Sequence, residues 1–142
     1  MDFFDSLVRY ETFLWNELDD RLQAGGGPSL GTLSALRVVR RHAGSCRVQE
    51  IRSELGITVG AASKLVDRLE RDGLAVRTAH PTDRRSSLVT LTSAGDTAHD
   101  EGVRLIEAAL ADHVDGVDLA EVSSTLVLLL ARLTKPVAAV AS

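Results

Sequence analysis

The chain is poor in cysteine and aromatics: 142 residues carry one Cys, one Trp, one Tyr, one Met and three Phe. A single thiol, Cys46, excludes an internal disulfide and fits a reducing cytoplasm. No long hydrophobic run exists. The longest, "LVLLLA" at 126–131, is far too short to cross a bilayer. The start, "MDFFDSLVRYE", is acidic and lacks the apolar core of a secretory signal, so a cytoplasmic chain with no membrane partner is expected. Catalytic signatures are also missing: there is no G-x-S-x-G, phosphate-binding loop, H-E-x-x-H or paired-carboxylate setting. "AGGGP" (24–28) lacks the strand-to-helix context of a phosphate loop and reads as an interhelical linker. The expectation is therefore a non-enzyme without a cofactor. His42 and Cys46 stand four apart, with His99 and His113 far along the chain, but Gly44 and Ser45 interrupt the helical register and no metal site is expected.

An excess of positive charge is lacking too, since the formal net charge is −4. That figure averages unlike parts. Between Arg37 and Arg85 stand eleven Lys/Arg against six Asp/Glu, and the remainder of the chain is strongly acidic. Phosphate binding depends on the field within a Debye length of about 10 Å, not on the total. The middle of the chain is thus suited to nucleic acid and its ends are not.

Hydrophobic and charged residues, 44% and 25%, are ordinary for a globular protein. Phe3, Leu7, Tyr10, Leu14, Leu18 and Leu22 recur at three- and four-residue steps and predict an amphipathic helix over 3–22, stopped by the triple glycine. A second helix is expected over 30–43 with Leu33, Leu36, Val38 and Val39 inward, and a short third over 47–55 with Val48, Ile51 and Leu55 on one face. "GIT" (56–58) is a tight turn, and Thr58 is suited to cap a fourth helix over 59–72 that buries Ala62, Leu65, Val66 and Leu69. Gly73 ends it. "LAVRT" (74–78) and "SLVTL" (87–91) alternate as strands do, which leaves 80–86 as a hairpin tip. Thr92 is placed to cap a long helix over 93–114. A last helix to about 134 carries the stripe Leu119, Val122, Leu126, Leu129, Leu130 and Leu133, with Pro136 and the tail "VAAVAS" beyond it.

The spacing of 47–73 is that of a helix-turn-helix. Opposite the buried face of the second of these helices stand Gly60, Ser63, Lys64, Asp67, Arg68 and Arg71. Gly60 and Ala61 permit close backbone approach, Ser63, Lys64 and Arg68 can donate to phosphates or base edges, and the helix start at Thr58 favours an anion. The plainer reading is a solvated face with Asp67–Arg71 as an i,i+4 pair. What favours DNA is the hairpin. Arginine suits the narrow, electronegative minor groove, and Arg84 and Arg85 sit on a tip slim enough to enter it. Asp83 is expected to orient one of those guanidinium groups.

The continuous stretch "ITVGAASKLVDRLERDGLAVRTAHPTDRRSSLVTLTSAG" (57–95) resembles the MarR family of winged-helix transcriptional regulators. The shared pattern is a helix ending in "DRLERDGL", a strand, a "DRR" tip, a second strand and "LTSAG" opening a long helix. The resemblance implies a mainly α fold with a small β-wing, a winged helix-turn-helix within an intertwined helical homodimer. It divides the chain into an N-terminal dimerisation helix (1–29), a DNA-binding domain (30–92) and C-terminal dimerisation helices (93–142). It also implies binding to a pseudo-palindromic operator in double-stranded DNA. Asp83 would support the wing, and Arg85 with Arg84 would enter the minor groove.

The apolar stripes of the terminal helices independently call for a second copy, since a monomer offers them little to bury against. Regulators of the resembled family commonly bind small aromatic acids or phenols. Arg9, Tyr10 and Trp15, with Arg37 and Arg41, are the candidate carboxylate-and-ring pocket here, although Tyr10 and Trp15 also fit a core or dimer contact. Family members that sense oxidants use a cysteine in the first helix; Cys46 lies after the second, so that role does not carry over. The reading is a repressor released by a small ligand, the alternative a winged helix that docks an acidic protein instead of DNA.

Overall fold

A computed structural model describes residues 1–134 of the chain. The elements run α1 (Phe3–Ala24), α2 (Leu30–Arg41), α3 (Val48–Leu55), α4 (Val59–Arg71), β1 (Ala75–Ala79), β2 (Ser87–Leu91), α5 (Ser93–His113) and α6 (Leu119–Thr134). The described residues form two compact units, one over Met1–Ala109 and one from Leu110 onward, with the boundary inside α5. The tail expected beyond the last helix lies outside the described residues.

In the first unit, Asp2 caps α1 by accepting from the Asp5 N–H. The stripe foreseen on α1 divides along its length: Leu18 and Leu22 are buried, whereas Phe3, Leu7 and Tyr10 are exposed. Gly26 adopts φ +74° and turns the chain, and the flanking glycines allow it to pass close to Leu105 of α5. The N-terminus of α2 receives two acceptors. Ser29 Oγ takes the Thr32 N–H, and the Asp19 carboxylate takes the Leu30 N–H at 2.8 Å, an anion placed where the helix dipole favours it. Helix α2 buries Leu33, Leu36, Val38 and Val39, as its spacing predicts. It ends at Arg41, two residues before the expected limit, because the chain turns through Gly44 at φ +84°.

Arg47 is the N-cap of α3 and not its first residue; the Glu50 side chain accepts the Arg47 backbone N–H at 2.8 Å. Gly56 at φ +62° makes the turn, and Thr58 Oγ1 caps α4 by accepting from the Ala61 N–H. Helix α4 buries Ala62, Val66 and Leu69, with Leu65 half-buried against the same core. That core joins Ala35, Leu36, Val38, Val39, Cys46 and Ile51 to Ala75 and Val89 of the hairpin.

The strands pair antiparallel from Ala75↔Leu91 to Ala79↔Ser87. β1 therefore starts one residue later than the alternation suggests. The reason is that Leu74 belongs to the turn: its N–H goes back to Leu69 O, and its carbonyl accepts the Thr92 N–H. β2 is also tied to the loop before α3, through the Val89 N–H and the Cys46 carbonyl at 2.8 Å.

Thr92 locks the start of α5 to the same turn. Its hydroxyl donates to Gly73 O at 2.6 Å and accepts the Gly95 N–H at 3.1 Å. Gly95 lies so close to the turn before β1 that a Cβ there would stand 1.9 Å from Leu74 O. Arg40 of α2 pairs with Asp96 at 3.1 Å and Asp100 at 2.9 Å on the following turns of α5.

In the second unit, Gly116 at φ +79° precedes Asp118, whose carboxylate accepts the Ala120 and Glu121 N–H groups and caps α6. No residue of α6 is buried, and Leu119, Val122, Leu126, Leu130 and Leu133 are all exposed. Among the described residues no helix is long and apolar enough to cross a membrane.

The approach at Gly95 gives a stability prediction. Gly95→Ala pushes a methyl into a backbone carbonyl and should destabilise the fold by about 2 kcal/mol or more, as overpacking does. Gly60→Ala, where an added Cβ meets nothing within 4 Å, should leave stability level or raise it slightly. Urea unfolding of both variants checks this; similar midpoints would remove the close-approach account of Gly95.

Candidate nucleic-acid interface

With Ala62, Val66 and Leu69 held in the core, α4 turns Gly60, Ala61, Lys64, Asp67, Arg68 and Arg71 outward, with Ser63 half-exposed beside them. The first turn of this face has only small side chains at Gly60 and Ala61, so a partner can approach the helix start closely. Thr58 serves that start structurally, through its cap bond to the Ala61 N–H.

The hairpin tip is built around two acceptors. His80 Nδ1 lies 3.2 Å from the Thr82 N and 3.0 Å from the Asp83 N. Asp83 accepts from the Arg85 N–H at 3.0 Å and from the Ser86 hydroxyl at 2.9 Å. Those bonds, backbone first and hydroxyl second, hold its carboxyl below the usual range, so it stays ionised. The expectation that Asp83 grips a guanidinium is thus corrected: it shapes the loop by binding main chain and Ser86, because the tight turn brings the Arg85 N–H to it. Both arginine side chains are left exposed at the tip.

Carboxylates sort the cations of this region. Arg77 of β1, largely covered, bridges Asp67 at 2.7 Å and Glu70 at 2.6 Å, both on α4. Asp67 therefore does not form the i,i+4 pair with Arg71, which turns to Asp72 at 3.3 Å. Arg40 and Arg41 are also paired, the latter with Glu54 at 2.5 Å. Glu54 accepts from His42 as well, and these two partners keep its carboxyl below the ordinary value. By contrast Lys64, Arg68, Arg84 and Arg85 carry no carboxylate partner among the described residues. These four are the cations that the sequence suggests for contact with DNA.

The candidate ligand residues are distributed over separate places. Arg37 and Arg41 line a depression of about 160 Å³ with Ser34 and Leu55. Trp15 lines another with Glu11, Thr12 and Asn16. Arg9 stacks over the Phe13 ring at 5.6 Å, and Tyr10 is exposed on the same helix. Cys46 is fully buried, and desolvation with the nearby Glu50 and Glu54 charges pushes its thiol up to about 11. Among the described residues no group of three or more His, Cys, Asp or Glu side chains is placed to hold a metal ion.

Sequence reasoning missed two fasteners. One is Arg77 with Asp67 and Glu70; the other is Arg47, whose guanidinium reaches Ser86 Oγ at 3.4 Å and His80 Nε2 at 2.8 Å. Neither pairing has a local spacing signal. Each exists only once the hairpin has folded back beside α3 and α4.

Comparison with known proteins places this geometry. Residues 27–86 match the MarR family. The chain is 32% identical over 66 residues to the uncharacterised HTH-type transcriptional regulator YwhA of Bacillus subtilis, covering 46% of this chain and 47% of YwhA. It is 30% identical over 77 residues to the HTH-type transcriptional regulator MhqR of the same organism, covering 54% and 48%. The chain spans about half the length of the curated relatives it matches. Its fold resembles that of CouR from Rhodococcus jostii RHA1 bound to p-coumaroyl-CoA, with TM-score 0.83 at 24% identity over 96% of this chain and 94% of that one. CouR bound to a 23-mer DNA duplex gives TM-score 0.78 at 23% identity, covering 94% and 93%. Over residues 27–86, which span the helix-turn-helix and the hairpin as far as its tip, the chain is thus similar to the MarR family.

Proposed function

We propose that this chain is a homodimeric, sequence-specific DNA-binding transcriptional regulator, and that it acts as a repressor released by a small ligand. The observation that carries the reading is the sorting of charge. Among the described residues Lys64 and Arg68 on α4, and Arg84 and Arg85 on the wing, have no carboxylate partner and lie outward, while Arg41, Arg71 and Arg77 are paired. A helix of this width fits the major groove, and arginines on a slim hairpin fit the minor groove beside it. Thr58, Gly60, Ala61 and Ser63 bring the start of α4 close to the duplex, and Asp83 keeps the wing loop in shape.

Residues 1–29 and 93–142 serve dimerisation and residues 30–92 bind DNA. Support comes from the apolar side chains that the chain alone leaves uncovered: Phe3, Phe4, Leu7 and Phe13 on α1, and Leu126, Leu130 and Leu133 on α6. A second copy of the chain covers such faces and sets two α4 helices about one turn of DNA apart. The chain works in the cytoplasm, without catalytic chemistry of its own.

For the ligand, CouR is a relative in fold that binds p-coumaroyl-CoA. An aromatic acid or phenol is the class proposed here, with Arg37 as its anchor, because Arg41 is already met by Glu54. Arg9, Tyr10 and Trp15 contribute rings and charge from α1.

Two measurements test the DNA reading. Arg85→Ala should weaken binding to an inverted-repeat duplex from upstream of the chain's own gene by more than about 1 kcal/mol, the scale of a groove contact. An unchanged affinity would take the wing out of the mechanism. Lys64→Ala or Arg68→Ala should reduce the slope of log K against log salt by about 0.9 for each phosphate that the side chain neutralises. A slope that stays put, or retardation that is weak and blind to sequence, favours the alternative of docking to an acidic protein. Sedimentation should give a dimer, and Leu126→Asp with Leu130→Asp should shift it toward monomer.

A further inference from the structure

His80 is the member of the wing that the DNA reading leaves without a task. It is half-buried where β1 gives way to the loop, and donors surround its ring. The Thr82 and Asp83 N–H groups face Nδ1 at 3.2 and 3.0 Å, and the Thr82 hydroxyl lies 3.4 Å away. On the other side Arg47 Nη2 stands 2.8 Å from Nε2. Arg47 comes from the start of α3, so the ring sits between the helix-turn-helix and the loop that carries the arginines. The loop is closed by further bonds: His80 N–H to Ser86 O at 3.2 Å, and Ser86 N–H to Asp83 O at 3.2 Å.

A neutral imidazole has one lone pair in its plane, at Nδ1 or Nε2. It therefore accepts either from the loop backbone or from Arg47. An imidazolium accepts from neither. With an N–H on both ring nitrogens, the one remaining acceptor is lost and each nitrogen faces a donor, while the ring's charge stands beside the Arg47 guanidinium. Asp83, ionised and nearby, pulls the other way, and Arg84 and Arg85 on the same loop add further positive charge. The Asp83 oxygens, however, are already taken by the Arg85 N–H and the Ser86 hydroxyl.

We propose that His80 is a positioning residue for DNA binding, which as a neutral imidazole holds the loop that presents Arg84 and Arg85, and which on gaining a proton releases that loop and weakens the grip on DNA. The proposal rests on the DNA-binding reading above and assigns a proton-sensitive element to it. Its sign is informative. Acid ordinarily makes a protein more cationic and strengthens its hold on phosphate. Here acidification weakens binding instead.

The test uses a duplex selected by the wild-type chain from a random pool at about pH 8, with affinity followed by fluorescence anisotropy at fixed ionic strength down to about pH 5.5, spanning imidazole titration. Wild-type affinity should fall about tenfold, the scale of one groove contact. His80→Asn, whose Oδ1 can take the place of Nδ1 as acceptor, should match wild type at the alkaline end and stay level on acidification. His80→Ala should bind weakly throughout. A wild-type affinity that stays level or rises in acid overturns the proposal. So does a parallel fall in His80→Asn, or a His80→Ala variant that equals wild type at the alkaline end. If no duplex is selected at all, the DNA-binding reading fails, and NMR of the free chain decides the rest. The Thr82 and Asp83 amide resonances should move with the His80 ring in wild type and hold still in His80→Asn; amides indifferent to the ring's titration reject the proposal.

Discussion

Helix α4 presents a charged face only because its other face is pinned. Ala62, Val66 and Leu69 sink into the core formed by α2, α3 and the hairpin, and that burial fixes the helix's rotation about its own axis. A rotation of one residue, about 100°, would carry Lys64 toward the core and Val66 into water. The hydrophobic core thus decides which side chains meet a partner, even though it contributes none of them. The same core includes Ala75 and Val89 of the strands, so the wing is set by the burial that sets the helix.

Electrostatics then refines what burial has arranged. The chain is acidic overall, yet its carboxylates are not spread as a uniform screen. Asp67 and Glu70 are both tied to Arg77, whose single positive charge offsets one of their two negative charges beside the exposed α4 face. Those pairs are partly exposed, so their direct contribution to stability is small. Their larger effect is geometric, because they fasten the base of the wing to the helix. Asp83 works inside the loop and leaves the tip arginines free of it.

Much of this was legible in the sequence. The helices and both strands follow from apolar periodicity and from local caps, and Thr58 and Thr92 perform the capping that their positions suggest. The motif over 57–95 carried the architecture. Misreadings arose where long-range bonds overrule local signals. Leu74 alternates like a strand residue but is drawn into the turn by Leu69 and Thr92, and Asp67 has a helical neighbour at the right spacing yet is taken by Arg77 across the hairpin. The role of Asp83 was misjudged for a related reason: sequence shows an acid beside two arginines, while only the folded loop shows that the nearer donors are main-chain N–H and a serine. The ligand residues were the least legible part, since Arg37 and Arg41 occupy one depression and Trp15 another.

Cys46 has a practical consequence. Its sulfur is sealed in the core and its thiol is pushed up to about 11, so at neutral pH it offers almost none of the thiolate that maleimides and iodoacetamides attack. The native chain is in effect blank toward thiol-directed dyes. A cysteine introduced on an exposed position of the hairpin loop can then be labelled alone, without first deleting a core residue, and the loop's movement followed by fluorescence in an otherwise unaltered protein.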